Sequence, residues 1–191
     1  MIRVMLVDDH TVLREGVREF LAGHDDLEVV GTAADGDEAG RMAAVSRPDV
    51  VLMDLRMPGS DGVAGTIAVL RAVPTAKVMV LTALSDVDHI IRALEAGASG
   101  YVLKDAPAQD VVTGVRAAMA GECDPQAAIE ELGKRRGELL SERDVELLRL
   151  TITGRVPADG SLTAELITLY RRIGVHDAEG AALWARRHDV A

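Results

Sequence analysis

The chain has 191 residues, 48% hydrophobic, 27% charged and only 2% aromatic, with a formal net charge of −10. That length holds one core of ordinary size plus a small second unit, packed with Val, Leu, Ile, Ala and Met instead of rings. No apolar run approaches the roughly 18 residues of a membrane helix, the acidic start MIRVMLVDDH is not a secretory signal, and the lone Cys123 excludes an internal disulfide. A cytoplasmic protein with no membrane partner is expected. Residues 1–121 carry 11 Lys and Arg against 18 Asp and Glu, and residues 122–191 carry 10 against 13. Neither part has the basic excess expected of a nucleic-acid-binding domain.

In chain order, Ile2–Val7 reads as an apolar strand that runs into Asp8 and Asp9, two acids that repel each other unless solvent or a cation lies between them. Leu13, Val17, Phe20 and Leu21 fall at helical spacing. Leu27–Ala33 is a second strand, Asp35–Ser46 a helix broken by Pro48, and Asp49–Met53 a third strand that stops at Asp54. Met57-Pro58-Gly59 and Asp61-Gly62 supply turn chemistry directly after that acid. A helix over Gly65–Ala72 and a strand over Lys77–Leu81, ending at Thr82, follow. Val87, Ile90, Ile91 and Leu94 then mark a helix that Gly97 closes. Gly100–Leu103 is the fifth strand, ending at Lys104, and Pro107 opens a fifth helix that runs to about Ala120. This alternation predicts an α/β fold, a five-stranded parallel sheet wound on both faces.

Right-handed crossovers bring the carboxyl ends of parallel strands to one edge, so Asp8, Asp9, Asp54, Thr82 and Lys104 are expected to converge. Three carboxylates suit a hard cation such as Mg²⁺, which takes oxygen ligands and keeps several waters. Lys104 then serves as a point charge for a phosphate, and Thr82 adds a hydroxyl. Taken alone, Asp54 could merely end a strand or cap the next helix; its companions favour the chemical reading.

Asp8-Asp9, Asp54 followed by MPGSDG, Thr82-Ala83 and GYVLKD at 100–105 resemble, in order and spacing, the flavodoxin-like receiver domain of bacterial two-component response regulators. The resemblance covers about two thirds of the chain. It implies that Asp54 takes a phosphoryl group from the phosphohistidine of a cognate sensor histidine kinase. It further implies that Asp9, Asp54 and the Arg56 backbone carbonyl bind Mg²⁺ directly, that Asp8 acts through water, and that Lys104 and Thr82 hold phosphoryl oxygens. Thr82 and Tyr101 are the implied switch pair, and a shift from monomer to homodimer on phosphorylation is expected. Asp105 follows Lys104 where the generic receiver has Pro, as in the subgroup with LuxR-type output domains. No second nucleophile or acid–base pair is evident, so the chain is expected not to be an enzyme. Slow self-dephosphorylation is expected, because Arg56 and Leu84, which border the path of an attacking water, are poorly suited to orienting it.

Past Gly121 the composition changes. The expected division is a receiver at 1–121, a linker at 122–138 with some helix and the basic cluster Lys134, Arg135, Arg136, and a small all-α domain at 139–191. There, Ser141 caps a helix whose predicted stripe is Val145, Leu148 and Ile152. A turn over Gly154–Gly160 precedes a helix with Leu162, Leu166, Leu169 and Ile173 on one face. Gly174 ends it, and Asp177 caps a last helix through Trp184. LSERDVELLRL and LYRRIGVHDAEGAALWARRHDV resemble the two ends of a LuxR-type helix-turn-helix domain, but Arg155–Gly160 is too short for the helix that family places between them. Thr163 and Glu165 stand where the family often has Lys and His. The expected function is phosphorylation-dependent control of transcription. Direct DNA binding is expected to be weak, despite the pairs Arg171, Arg172 and Arg186, Arg187. The alternative is an interaction module whose degenerate output domain no longer binds DNA.

Overall fold

The computed structural model describes residues 1–57, 60–83, 87–138, 140–173, 175–187 and 190, with side chains except at 60, 135–138, 172 and 187. Pro58, Gly59, Leu84 and the helix-ending Gly174 therefore lie outside the described residues, as do the side chains of Arg135, Arg136, Arg172 and Arg187. The chain divides into two compact units, Met1–Ile129 and Glu130–Ala191.

In the first unit, β1 (Ile2–Val7), β2 (Leu27–Ala33), β3 (Val50–Asp54), β6 (Lys77–Thr82) and β7 (Gly100–Leu103) form one sheet in the order β2-β1-β3-β6-β7. All its pairings are parallel. Every residue of β3 is buried, as a strand covered on both faces requires. Side chains alternate across the sheet. Val4, Leu6, Val50, Leu52, Met79, Leu81 and Val102 share a core cluster with Leu21 of α1 (Thr11–Ala22) and with Val111, Val112 and Val115 of α5 (Ala108–Ala120). The opposite face is covered by α2 (Gly36–Ser46), α3 (Gly62–Ala72) and α4 (Val87–Glu95). This is the doubly wound, five-stranded parallel architecture expected from the alternation of the sequence.

Three details depart from the expected elements. Between β3 and α3 the chain forms a short antiparallel hairpin, β4 (Arg56–Met57) with β5 (Ser60–Asp61), where a simple turn was expected. Helix α3 begins at Gly62, three residues before the expected Gly65, because the Asp61 carboxylate accepts the Val63 N–H at 2.9 Å and caps the first turn. The segment read mainly as linker holds a 14-residue helix, α6 (Pro125–Glu138).

The second unit contains α7 (Glu142–Ile152), α8 (Thr163–Ile173) and α9 (Ala178–Arg187). Their core is Leu147, Leu148, Leu166, Leu169, Ile173, Ala181, Trp184 and Ala185. Trp184 is one of its core residues. The buried stripe of α7 is rotated from the predicted one: Leu147 and Leu148 are buried, whereas Val145 and Ile152 are only partly so. Ser141 caps α7 in a capping box with Asp144. Residues 153–162, all described, contain no helix between α7 and α8.

Candidate functional site

Strand register assembles the site. Val7 pairs with Met53, Asp54 with Leu81 and Thr82 with Leu103. Asp8, Asp54, Thr82 and Lys104 therefore leave four adjacent strands at one edge, on either side of the point where the strand order reverses. The Lys104 N–H donates to the Thr82 carbonyl at 2.8 Å and ties the last two together.

Asp54 is 2% exposed and Asp8 4% exposed. The Lys104 ammonium bridges them: Nζ donates to Asp8 Oδ2 at 2.8 Å and ion-pairs with Asp54 Oδ2 at 2.7 Å, off the line of a hydrogen bond. Asp54 Oδ1 accepts the Arg56 N–H at 3.2 Å, and Asp8 Oδ1 accepts the His10 N–H at 2.8 Å. The Arg14 guanidinium donates to the Asp8 carbonyl and holds the end of β1 against α1. Asp9 is partly exposed, and its Oδ1 has no hydrogen-bond partner among the described residues. The buried Thr82 hydroxyl likewise has none. Tyr101, opposite Val80 in the sheet, is half-buried on β7.

Burial pushes the Asp54 carboxyl above the ordinary carboxylate range, with the Lys104 contact pulling the other way. For Lys104, burial pulls the ammonium down, but its contacts with the Asp54 and Asp8 carboxylates outweigh it and hold it above its usual value. Asp8 and Asp54 share one ammonium and Asp9 lies beside them, which leaves the cluster short of positive charge. Ligand atoms of Asp8, Asp9, His10 and Asp54 all lie within 4.8 Å of one another, a spread one divalent cation can span. The arrangement can hold such a cation and bring an electrophile to a buried carboxylate.

Every expected residue of the cluster is therefore brought to one edge. Three contributors were not singled out by the sequence reading. His10 follows the acid pair directly, and that adjacency was its signal. Arg14 lies one helical turn beyond His10, too generic a placement to read. Gly62 was noted only as a turn residue, but a Cβ there would lie 2.2 Å from the Asp54 carbonyl oxygen and 2.6 Å from Leu55 Cα. Only glycine lets the start of α3 lie against the backbone of the acid.

In the second unit, Thr163, Glu165, Arg171 and Arg186 are exposed. Glu165 of α8 is held by Arg143 of α7, Nε to Oε2 at 2.9 Å and Nη2 to Oε1 at 3.2 Å, and Arg143 also reaches Glu146 at 2.7 Å. The bond from Arg143 holds the Glu165 carboxyl below its usual range, and the two acids push the guanidinium further up.

The model of the response regulator receiver domain family matches residues 4–116. The chain is 34% identical to the transcriptional regulatory protein LiaR of Bacillus subtilis, over 100% of this chain and 99% of that one. It is 33% identical to the response regulator protein VraR of Staphylococcus aureus, over 99% and 98%. The LiaR alignment runs over 209 positions against 191 residues here, so parts of that relative have no counterpart. A solved two-component response regulator of the LuxR family from Aurantimonas sp. is similar with a TM-score of 0.64 at 34% identity, covering 72% of this chain and 99% of that one. Among the described residues, no helix is long and apolar enough to cross a membrane.

Proposed function

The chain belongs to the two-component response regulators, and we propose that it carries its phosphoryl group on Asp54 and controls transcription through its C-terminal helices. The observation that carries the first part is the place of Asp54: a carboxylate 2% exposed, facing Lys104, at an edge where three strand ends supply the remaining groups. An Asp54 carboxylate oxygen attacks the phosphorus of a sensor kinase phosphohistidine in line. A phosphorus–oxygen bond forms as the phosphorus–nitrogen bond breaks, and the leaving imidazole keeps the nitrogen electron pair. Lys104, already at the carboxylate, pairs with the arriving phosphoryl oxygens, and the free Thr82 hydroxyl donates to another. The donor set fits Mg²⁺: carboxylates of Asp9 and Asp54 as direct ligands with the Arg56 carbonyl, and Asp8 through water. When bound, Mg²⁺ supplies the charge neutralisation that this transfer needs. Incubation of the full chain with a small acyl phosphate and Mg²⁺ adds one phosphoryl mass; an Asp54→Asn protein that still gained it would sink the assignment.

Residues 1–121 act as receiver, 122–138 as a linker that includes α6, and 139–191 as the output domain. The unsatisfied Thr82 hydroxyl supports the switch: drawn to the phosphoryl group, it vacates space for Tyr101, and the altered face favours a homodimer. Phosphoryl loss by self-hydrolysis is slow, since Arg56 offers no carboxylate or amide to orient a water. The rival reading, a protein-interaction module that no longer contacts DNA, draws on the missing helix between α7 and α8 and on the engaged Glu165. It is less favoured, because a relative named as a transcriptional regulator aligns over the whole chain. Selection of duplexes by the phosphorylated full chain at roughly 150 mM salt tests this, with recovery of a reproducible motif as the expected result.

A further inference from the structure

The imidazole of His10 has no assigned task, yet it stands at the cation site. His10 occupies the N-cap position of α1, but its side chain makes no capping hydrogen bond. Nδ1 instead lies 2.9 Å from Asp9 Oδ1 and 3.3 Å from Asp8 Oδ1. The nearer contact lacks the alignment of a hydrogen bond, since Asp9 Oδ1 has no partner of that kind. The 2.9 Å separation matches the edge of a coordination polyhedron: bonds of about 2.1 Å in an octahedron put neighbouring ligand atoms about 3.0 Å apart. The side chain is 68% exposed, so an ion bound there keeps water on its outer side.

We propose that His10 Nδ1 is a direct ligand of the dication held by Asp8, Asp9 and Asp54, and that it tilts the site towards borderline first-row dications such as Co²⁺ and Ni²⁺. This rests on the cation site under Proposed function. An all-oxygen set discriminates among hard cations by size, whereas an imidazole nitrogen raises affinity for the later first-row ions and gains little for Mg²⁺. With Nδ1 on the ion, the ring proton resides on Nε2.

The test uses the untagged full chain as wild type, His10→Ala and Asp9→Asn. Equilibrium dialysis measures Ni²⁺ and Mg²⁺ separately, and pulsed electron paramagnetic resonance of bound Mn²⁺ reads directly coupled nitrogen. His10→Ala is expected to weaken Ni²⁺ about tenfold or more while changing Mg²⁺ by less than about twofold. The wild-type Mn²⁺ signal should carry a nitrogen coupling that the variant loses, and Asp9→Asn should weaken both ions. Absence of nitrogen coupling in the wild type, or an equal response of both ions to His10→Ala, overturns the role of His10 but leaves the carboxylate site standing. Failure of the wild type to bind either ion overturns the cation site and this inference together.

Discussion

Each unit buries aspartate, and Asp144 of the helical unit and Asp54 of the receiver are treated in opposite ways. In the helical unit, Asp144 is 7% exposed and serves the end of its own helix: its Oδ2 accepts the Ser141 N–H at 2.9 Å and the Ser141 hydroxyl at 2.6 Å. In the receiver, Asp54 is more deeply buried, receives one backbone N–H, and meets an ammonium shared with Asp8. A buried acid whose bonds are closed locally is structural. One left short of donors and held at a strand end stores the capacity to bind something else.

The largest expected effect is on chemistry: Asp54→Asn abolishes phosphoryl uptake from a small acyl phosphate, read by intact mass, whereas Asp144→Asn leaves it intact. Next is the backing of the acid. Gly62→Ala forces a Cβ into the Asp54 and Leu55 backbone and should destabilise the receiver by about 3 kcal/mol, measured by urea unfolding followed at receiver residues. Leu169→Ala empties part of the aliphatic cluster in the helical unit and should cost that unit about 3 kcal/mol, seen in Trp184 fluorescence with phosphoryl uptake preserved.

Asp54→Asn should also raise the urea midpoint of the receiver at pH 7. Because burial raises the folded-state pKa of Asp54, its favourable contribution is fully present below the ordinary carboxylate pKa and is lost as pH rises through the folded value. The gap between wild type and variant should therefore close on acidification; a gap independent of pH would break the contrast drawn between the two aspartates. Asp144→Ala removes one side of the capping box and should cost about 1 kcal/mol, again by Trp184 fluorescence. The smallest effect belongs to Arg143→Ala, whose partners are exposed: a slight loss in the urea midpoint of the helical unit that shrinks with added salt.

Local order was legible because its causes are local. Short apolar runs mark the five strands of the sheet, and Asp8, Asp9, Asp54, Thr82 and Lys104 each stand at a strand end in the sequence itself. Parallel topology then leaves little freedom about where they meet. Helices were less sharply legible at their edges. Leu147, Leu148 and Val145 are adjacent on α7, and which of them faces inward depends on the approach of α8 and α9, which helical periodicity does not encode.

Residues 1–191 by themselves determined the alternation of the receiver, its cluster of acids around one lysine, and the shortness of the stretch between α7 and α8. Tertiary structure decided what distance and direction govern. It shows that Lys104 spans both Asp8 and Asp54, that the start of α3 comes so close to the Asp54 backbone that Gly62 must be glycine, and that Glu165 is engaged by Arg143 across two helices. It also shows that the His10 ring turns towards the acids and does not cap its own helix. A sequence records which groups lie at a strand end, but contacts between residues 22 or 96 apart exist only once burial has closed the chain on itself, and these contacts set the charge and reach of the site.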